Sequence, residues 1–373
     1  MTDNGQAIRP LTLNKTLPLP TPGTESSYGI SAGAITTIHR LLVASLSYRV
    51  NDIPRVNTNS HTTPHIRPAR LAVLFSGGLD CTLLARLTHD VLDQSEPIDL
   101  LNVAFQNPRV HRGNDATTQD VLSAYEQCPD RVTGRASYQE LKQVCPNRDW
   151  RFVSIDIPYT ETLAHRSRII SLMHPHNTEM DLSIACALYF AARGAGTTAG
   201  ADGSSYEYVT AARVLLSGLG ADELFGGYTR HGTAFRRSGF AGLADELELD
   251  VSRLGKRNLG PDDRVISNWA REARFPFLDE SLVNWSLSIP IWEKCGFGSA
   301  RQSTLDPTKQ LLRLLALKLG MSGVANEKKR AVRSPRHLCC TVTNRVRSNS
   351  ELVPQRWKSV DPKAQTCLYI IVE

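Results

Sequence analysis

One junction constrains the fold of this chain more than any other feature, because it joins a strand, a glycine turn and a helix. Residues 71–84 read LAVLFSGGLDCTLL. Residues 71–75 are an apolar run of strand length, Ser76, Gly77 and Gly78 form a turn, and the remainder has helical periodicity. Backbone amides and the positive end of the helix dipole converge at such a junction. The turn can therefore bind an oxyanion of the phosphate type.

Asp80 follows the glycines, at the mouth of the anion site that they would form. A carboxylate in that position would repel phosphate unless a hard cation such as Mg²⁺ lay between them. The sequence therefore predicts a phosphate that is bound together with a metal. Neither the P-loop spacing Gly-x-x-x-x-Gly-Lys-Ser/Thr nor the dinucleotide spacing Gly-x-Gly-x-x-Gly is present here. A plain turn before a helix is the alternative interpretation.

A second junction of the same kind follows later in the chain. Residues 212–216, ARVLL, are again predicted to be a strand, and residues 217–228 read SGLGADELFGGY, with Asp222 after the glycines. Two such loops in one sheet could give backbone amides to one polyphosphate and two carboxylates to a shared Mg²⁺. Asp80 and Asp222 are then the candidate metal ligands. Each loop alone is also compatible with an ordinary helix start.

The remaining periodicity predicts an α/β fold in which a parallel sheet is flanked by helices. Buried strands are predicted at residues 98–105 and 150–157, and helices at residues 34–50, 181–193 and 309–319. The Gly-, Ser- and Thr-rich residues 194–208 predict a linker. Ser137 and Glu140 have the reciprocal spacing of a helix start. In open sheets of this type a ligand binds beyond the carboxyl ends of the strands, where the two loops would meet.

Composition narrows the class of protein further. The chain has 373 residues, 41% of them hydrophobic, and a net charge of +6 that is spread along its length. A nucleic-acid interface would concentrate this charge near aromatic residues. The 8 cysteines lack metal-binding spacing and indicate a reducing compartment. No segment has the roughly 20 apolar residues of a membrane span. We therefore expect a cytoplasmic protein that binds neither nucleic acid nor membrane.

Together, the two loops resemble the synthetase domain of the asparagine synthetase family. The motifs are SGGLD at 76–80, SGLGADELFGGY at 217–228 and REARFPFLDE at 271–280. The resemblance covers residues 65–332 and is greatest to the branch of asparagine synthetase domain-containing proteins. It implies an ATP pyrophosphatase fold, which is adenine nucleotide alpha hydrolase-like. It also implies a ligase that adenylates aspartate with ATP, releases PPi and uses ammonia to displace AMP.

The resemblance assigns roles to individual residues. Mg²⁺ would bind Asp80 and Asp222, and Leu74 and Val103 would frame the adenine. The residues that would contact ATP through its phosphates are Ser76, Gly77, Gly78, Asp80, Ser217, Gly218 and Gly220. Lys329 would be the catalytic lysine, because a fixed cation stabilises negative charge that develops on the α-phosphate. A simple basic turn is the alternative for Lys329. Arg274 and Asp279 are expected to be structural.

Three features depart from the family pattern. Residues 1–64, predicted to be a disordered leader plus one helix, are too short and polar for the family's glutaminase domain, so a glutaminase subunit could act in trans. Leu219 stands where asparagine synthetases carry Glu, and leucine cannot act as a general base. Residues 333–373 form a divergent tail that we predict to be poorly ordered.

These departures leave two classes of function open. One is an ATP-dependent ligase domain. The other is a non-catalytic nucleotide-binding or scaffold protein. A tRNA-thiolating or NAD-forming pyrophosphatase would require catalytic cysteines or a basic RNA-binding appendage, and neither is evident in the sequence.

Overall fold

The computed structural model describes residues 12–18, 29–54, 67–107, 124–200, 202–298 and 304–327. Within these residues the strands are β1 Leu71–Leu74, β2 Ile98–Phe105, β3 Trp150–Ile157, β4 Ala195–Ala199, β5 Ser205–Val209, β6 Val214–Leu216 and β7 Glu272–Arg274. They form one sheet in the order β5-β4-β3-β2-β1-β6-β7. Strands β1, β2, β3, β6 and β7 pair in parallel, whereas β4 and β5 are an antiparallel hairpin at one edge. The predicted α/β class with a mostly parallel sheet is confirmed.

Helices cover both faces of this sheet. They are α1 Ala32–Val50, α2 Leu79–Val91, α3 Pro129–Val144, α4 Tyr159–Met173, α5 Glu179–Arg193, α6 Ala221–Phe225, α7 Thr229–Leu254, α8 Gly260–Ser267, α9 Glu280–Ser288, α10 Gln310–Lys318 and α11 Ser322–Asn326. A π-helical turn, Gly255–Leu259, joins α7 to α8, and 3₁₀ turns occupy Pro276–Leu278 and Ile291–Glu293. Among the described helices, none combines the length and apolar character needed to cross a membrane.

Strand β1 lies at the centre of the hydrophobic core. Leu71 and Val73 pack with α1, α2 and α10 on one face, whereas Ala72 and Leu74 pack with α4 and α5 on the other. Successive strand residues face opposite sides of a sheet, so a strand covered on both faces needs apolar residues throughout. This explains why the strand reads as a continuous apolar run. It also places the glycine turn that follows at a well-anchored position.

The predicted strands at 98–105 and 150–157 are confirmed with the same bounds. The predicted linker at 194–208 is wrong, because these residues form the β4–β5 hairpin. Gly196 lies so close to β3 that a Cβ there would be 2.2 Å from the Ser154 carbonyl oxygen. The small residues that suggested a linker thus allow close strand pairing. The Tyr208 hydroxyl fastens the hairpin by donating to the buried Asp99 carboxylate at 2.9 Å.

The predicted helix start at Ser137 is also wrong. Helix α3 begins at Pro129, with Cys128 as its N-cap, and Ser137 lies in its interior. Proline is favoured in the first helical turn because its missing N–H has no partner to lose there. Ser137 instead uses its hydroxyl for a tertiary contact with the first glycine loop.

Part of the predicted leader packs on the domain. Leu13 is buried, the Asn14 amide donates to the Leu287 carbonyl at 2.8 Å, and Lys15 pairs with Asp245 at 3.1 Å. These contacts attach residues 12–18 to α7 and α9. Residues 1–11 and 19–28, and the predicted tail at 333–373, lie outside the described residues.

Candidate functional site

The first glycine loop connects β1 to α2 and is held from behind by two neighbours. Gly77 has a φ of +84°, and a Cβ there would lie 2.5 Å from the Cα of Gly134 in α3. Glycine is therefore required both by backbone conformation and by contact. The Ser137 hydroxyl donates to the Gly77 carbonyl at 2.7 Å, and the Asn102 side-chain amide donates to the Phe75 carbonyl at 2.9 Å. The loop is fixed on the side that faces α3 and β2.

The open side of this loop has the features of an anion site. Gly78 is the N-cap of α2 and has no side-chain capping bond. Amides in the first turn of a helix have no intrahelical acceptor, and the helix dipole adds positive charge at the same end. The Gly78 amide donates to Ser76 Oγ at 3.2 Å. The serine hydroxyl oxygen thus occupies a position in which these amides could instead donate to a phosphate oxygen.

The second glycine loop connects β6 to α6 and repeats this arrangement. The Leu219 amide donates to Ser217 Oγ at 3.3 Å, which matches the bond from the Gly78 amide to Ser76 in the first loop. Gly220, at φ +102°, is the N-cap of the following helix. Each loop therefore combines a serine turn, a positive-φ glycine and a helix N-terminus.

The sheet brings the two loops together, because β1 pairs with β6 on one side and with β2 on the other. The strand order thus reverses direction at β1. In open α/β sheets the crevice at such a point, beyond the carboxyl ends of the strands, is the usual ligand site.

Asp80 and Asp222 converge on one cation, the ammonium group of Lys309. Its Nζ lies 2.9 Å from Asp80 Oδ2 and 3.2 Å from Asp222 Oδ1, and all three side chains are buried. Lys309 is the N-cap of α10 and has a left-handed backbone with φ +49°. The sequence interpretation assigned this lysine only to an amphipathic helix and missed its place in the site. The contact joins residues far apart in the chain, so local spacing could not reveal it.

The donor set fits a divalent cation that is bound together with phosphate. The two carboxylates already share a positive charge, and Mg²⁺ is commonly held by one or two carboxylates plus phosphate oxygens and water. Within the part of the chain that the structure describes, no three His, Cys, Asp or Glu side chains form a metal-binding group. Among these described side chains, Asp80 and Asp222 are the pair that could hold Mg²⁺, with phosphate oxygens and water completing its shell.

The remaining predicted site residues have different positions. Leu74 is buried at the end of β1, and Val103 of β2 is packed against the same hydrophobic layer. Gly218 lies in the second loop beside Ser217. Lys329 lies outside the described residues, so its role stays a prediction.

A cleft opens beside the second loop and encloses about 990 Å³, open solvent included. Its lining includes residues of the loop, α5, α6, the start of α7, the π-helical turn and α8: Ser217, Leu219, Met180, Asp181, Ile184, Glu223, Tyr228, Arg257, Asn258 and Asp262. Leu219, only 9% exposed, presents an apolar surface to it. The sequence did not single out most of these residues, because they come from elements that are separated in the chain.

The lining of this cleft carries both acidic and basic side chains. The Tyr228 hydroxyl donates to buried Glu223 at 2.6 Å, and the Asn258 amide donates to the same oxygen at 3.2 Å. Burial, and then the charge of Asp222, raises the pKa of Glu223. Burial also raises the pKa of Asp262 to about 8, with the charges of Glu223 and Asp181 adding to the shift. Arg257 is exposed among the lining residues. The cleft lining thus offers carboxyl groups and an exposed guanidinium group.

Arg274 and Asp279 are structural, as the sequence predicts. The Arg274 guanidinium donates to the Arg49 carbonyl, and Asp279 pairs with the Arg49 side chain at 3.0 Å. Asp279 also caps α9 by accepting from the Ser281 amide at 3.1 Å. These bonds fasten the segment after β7 to α1, beneath the second loop.

The fold and this site define an α/β protein in which two glycine loops direct a pair of aspartates at one position. A family model described as asparagine synthase matches residues 204–245 and 238–351. The Bos taurus asparagine synthetase domain-containing protein 1 is 41% identical over 291 residues, which is 71% of this chain and 45% of that protein. The Drosophila melanogaster asparagine synthetase domain-containing protein CG17486 is 36% identical over 309 residues, 80% of this chain and 50% of that protein.

A shorter stretch is similar to the putative asparagine synthetase [glutamine-hydrolyzing] 1 of Methanocaldococcus jannaschii, with 52% identity over 79 residues, 21% of this chain and 15% of that protein. The chain belongs to the asparagine synthetase family. It spans about half the length of the domain-containing relatives that it matches.

Proposed function

We propose that this chain is an ATP-dependent, AMP-forming carbon–nitrogen ligase domain of the ATP pyrophosphatase fold. It would adenylate aspartate or a related carboxylate and pass the product to ammonia. One observation carries the proposal: Asp80 and Asp222, each placed after its own glycine loop, reach the same cation from two neighbouring strands. This arrangement suits a metal-bound polyphosphate.

Each loop has a distinct task in this proposal. The amides of Ser76, Gly77 and Gly78 bind the β- and γ-phosphates, and those of Ser217, Gly218 and Gly220 border the α-phosphate. Leu74 and Val103 frame the adenine from the sheet side. When bound, Mg²⁺ neutralises the repulsion between the phosphates and the carboxylates of Asp80 and Asp222. These residues make up the minimal ATP site that the family resemblance and the geometry support.

The chemistry proceeds in two displacements. A carboxylate oxygen of the acceptor attacks the α-phosphorus, and the bond to the bridging oxygen breaks, so that PPi leaves. Ammonia then attacks the acyl carbon, AMP leaves with the bonding electrons, and a proton from the nitrogen passes to solvent. Lys329 would stabilise negative charge on the α-phosphate during the first step.

The acceptor would occupy the cleft beside the second loop. Glu223 and Asp262 line this cleft, and although burial raises the pKa of each, a bound ammonium group would favour their ionised forms and pair with them. Arg257, among the exposed lining residues, suits a carboxylate. A zwitterionic acceptor such as aspartate carries both groups. Ammonia would reach the adenylate from solution or from a glutaminase subunit in trans.

The proposal is tested by aspartate-dependent exchange of labelled PPi into ATP in the presence of Mg²⁺. Exchange is expected with the unmodified chain and should be lost in Asp80→Ala. Because exchange requires adenylation but not amidation, the result does not depend on the nitrogen source. Absence of exchange with every amino acid offered would refute the catalytic proposal.

A second candidate is a nucleotide-binding scaffold without turnover, and Leu219 favours it. An apolar side chain at the edge of the cleft cannot accept a proton from the incoming nitrogen. The scaffold function predicts ATP binding without exchange. Leu219→Glu distinguishes the two, since it should increase amide formation only if the adenylate is already made.

A further inference from the structure

Asn102 connects the first glycine loop to the start of helix α3. It is 1% exposed, and its Nδ2 donates to the Phe75 carbonyl at 2.9 Å and to the Asp130 carbonyl at 3.0 Å. Its Oδ1 accepts from Arg131 Nε at 2.7 Å. Both amide hydrogens and the amide oxygen are used, so the orientation of this side chain is fixed.

Arg131 extends the connection to the end of β3. Its guanidinium group is fully buried and also donates to Asp156 Oδ1 at 2.6 Å and to Glu126 Oε1 at 2.8 Å. Two carboxylates compensate the buried charge of Arg131. Loss of one of them would leave this buried charge partly uncompensated, at a large cost in free energy. The support behind Asn102 is therefore stiff.

Helix α3 touches the same loop at a second place. Gly134 faces Gly77 so closely that a Cβ on either would clash, in one case with backbone and in the other with the Asn102 amide at 2.6 Å. One helical turn further on, the buried Ser137 hydroxyl donates to the Gly77 carbonyl at 2.7 Å. The backbone contact from Gly134 and the hydrogen bond from Ser137 therefore both hold Gly77 in place.

These contacts determine which way the loop's amides point. A trans peptide is planar, so its C=O and N–H point in opposite directions. Holding the Phe75 carbonyl towards Asn102 directs the Ser76 amide to the opposite side, and holding the Gly77 carbonyl towards Ser137 does the same for the Gly78 amide. The Gly78 amide indeed meets the Ser76 hydroxyl oxygen on that side.

We propose that Asn102 and Ser137 are positioning residues for polyphosphate binding: they hold two loop carbonyls against β2 and α3, so that the loop amides face the phosphates. This inference rests on the proposed function of the loop in ATP binding. It assigns to α3 a part in recognising the phosphate chain and none in recognising the nucleoside.

The test compares Ser137→Ala with Ser45→Ala. Ser45 is the control for loss of a buried hydroxyl away from the first glycine loop: it also donates to a carbonyl at 2.7 Å, that of Pro276, and it accepts from Arg49 Nη1 at 2.8 Å. Affinities for ATP with Mg²⁺ and for adenosine are measured by calorimetry on the full chain. Ser137→Ala should weaken ATP binding about tenfold, the equivalent of one hydrogen bond, and leave adenosine binding unchanged. Ser45→Ala should change neither affinity.

Hydrogen exchange of residues 76–80 without nucleotide gives an independent result. Exchange should be faster in Ser137→Ala than in the unmodified chain or in Ser45→Ala. If ATP does not bind even to the unmodified chain, the proposed function fails, and exchange alone decides the positioning role. Unchanged exchange in Ser137→Ala, or an equal loss of ATP and adenosine affinity, overturns it.

Discussion

The positive-φ glycine of the first loop packs against the backbone of a helix, whereas that of the second loop packs against a leucine side chain. At Gly77 an added Cβ would lie 2.5 Å from the Gly134 Cα, but at Gly220 it would lie 2.4 Å from the Leu278 Cδ2. Backbone in a packed helix cannot move aside, and a leucine side chain can change rotamer. The first loop is therefore the stiffer of the two.

The elements around the two loops also make the first loop the stiffer one. The first leads into a helix of 13 residues and is closed behind by α3, whereas the second leads into a helix of 5 residues and borders the cleft. Under the proposed function, a stiff anion site suits the phosphates of ATP. An adjustable loop beside a cleft suits the acceptor, whose shape and charge the loop must accommodate.

The largest effect is expected from removing the cation that links the loops. Lys309→Met would leave Asp80 and Asp222 buried side by side and should lower the free energy of unfolding by about 3–5 kcal/mol. Urea denaturation measures this loss, and Mg²⁺ should restore part of it in the variant. Lys294→Met is the control, since Lys294 is 1% exposed and has no acidic partner among the described residues. Equal losses in the two variants would contradict a linking role.

The two aspartates can be tested for a common function by a double-mutant cycle. Asp80→Asn and Asp222→Asn should each lower the rate of ATP–PPi exchange by roughly 10²–10³-fold, because each removes charge from the same position. The double variant should lose less than the product of the two effects. Multiplicative losses would mean that the loops act independently.

The difference in stiffness predicts unequal costs for alanine at the two positive-φ glycines. Gly77→Ala should lower stability by roughly 3 kcal/mol and Gly220→Ala by roughly 2 kcal/mol, since only the first also forces backbone apart. Gly239→Ala measures the conformational cost alone, because Gly239 has φ +61° and nothing within 4 Å of an added Cβ. Thermal unfolding ranks the three variants. A larger loss at Gly220 than at Gly77 would reverse the comparison.

The cleft beside the second loop should make stability depend on pH through Asp262. Its pKa is raised to about 8 by burial and by Glu223 and Asp181, so folding favours the neutral acid. The stability that this group contributes is complete below its unfolded pKa of 3.8 and is lost as pH rises through 8. Asp262→Asn should therefore be more stable than the unmodified chain by on the order of 2 kcal/mol at pH 9, with no gain near pH 4. Urea midpoints at both pH values provide the measurement.

The smallest effect is expected at an exposed residue of the cleft lining, Arg257. Arg257→Gln should weaken binding of a carboxylate-bearing acceptor by about two- to fivefold, because exposed ion pairs contribute little. ATP affinity should not change. Arg237→Gln is a control, as Arg237 is exposed on α7 and outside the cleft lining. Equal effects of both substitutions on the acceptor would indicate general charge attraction only.

The sequence predicted the parts of the fold that local pattern determines. The strands at 98–105 and 150–157 and both glycine loops follow from apolar runs that end at glycine. The β4–β5 hairpin was missed because its small residues resemble a linker, although the alternation of Tyr206 and Tyr208 was a strand signal. The start of α3 was predicted at the wrong residue, because the Ser/Glu spacing of Ser137 and Glu140 occurs inside helices as well as at their N-termini.

The candidate site was predictable only where it is contiguous in the chain. Asp80 and Asp222 follow glycines and could be identified from spacing. Lys309 could not, because its left-handed backbone and its partners are set by tertiary structure. Asn102 is a polar residue in a buried strand, which is a usable signal, but its bond to the Phe75 carbonyl depends on the neighbouring strand.

The Lys309 contact also links binding of any ligand at this site to folding of the domain. Lys309 and Asp80 are 229 residues apart in sequence, and Asp222 comes from a third region, so no short fragment contains the site. A ligand of this site therefore binds only the assembled chain. At 100 times its dissociation constant it would add about 2.7 kcal/mol to the free energy of unfolding. Under the proposed function that ligand is ATP, and its concentration would then raise the folded fraction of the protein and its resistance to proteolysis.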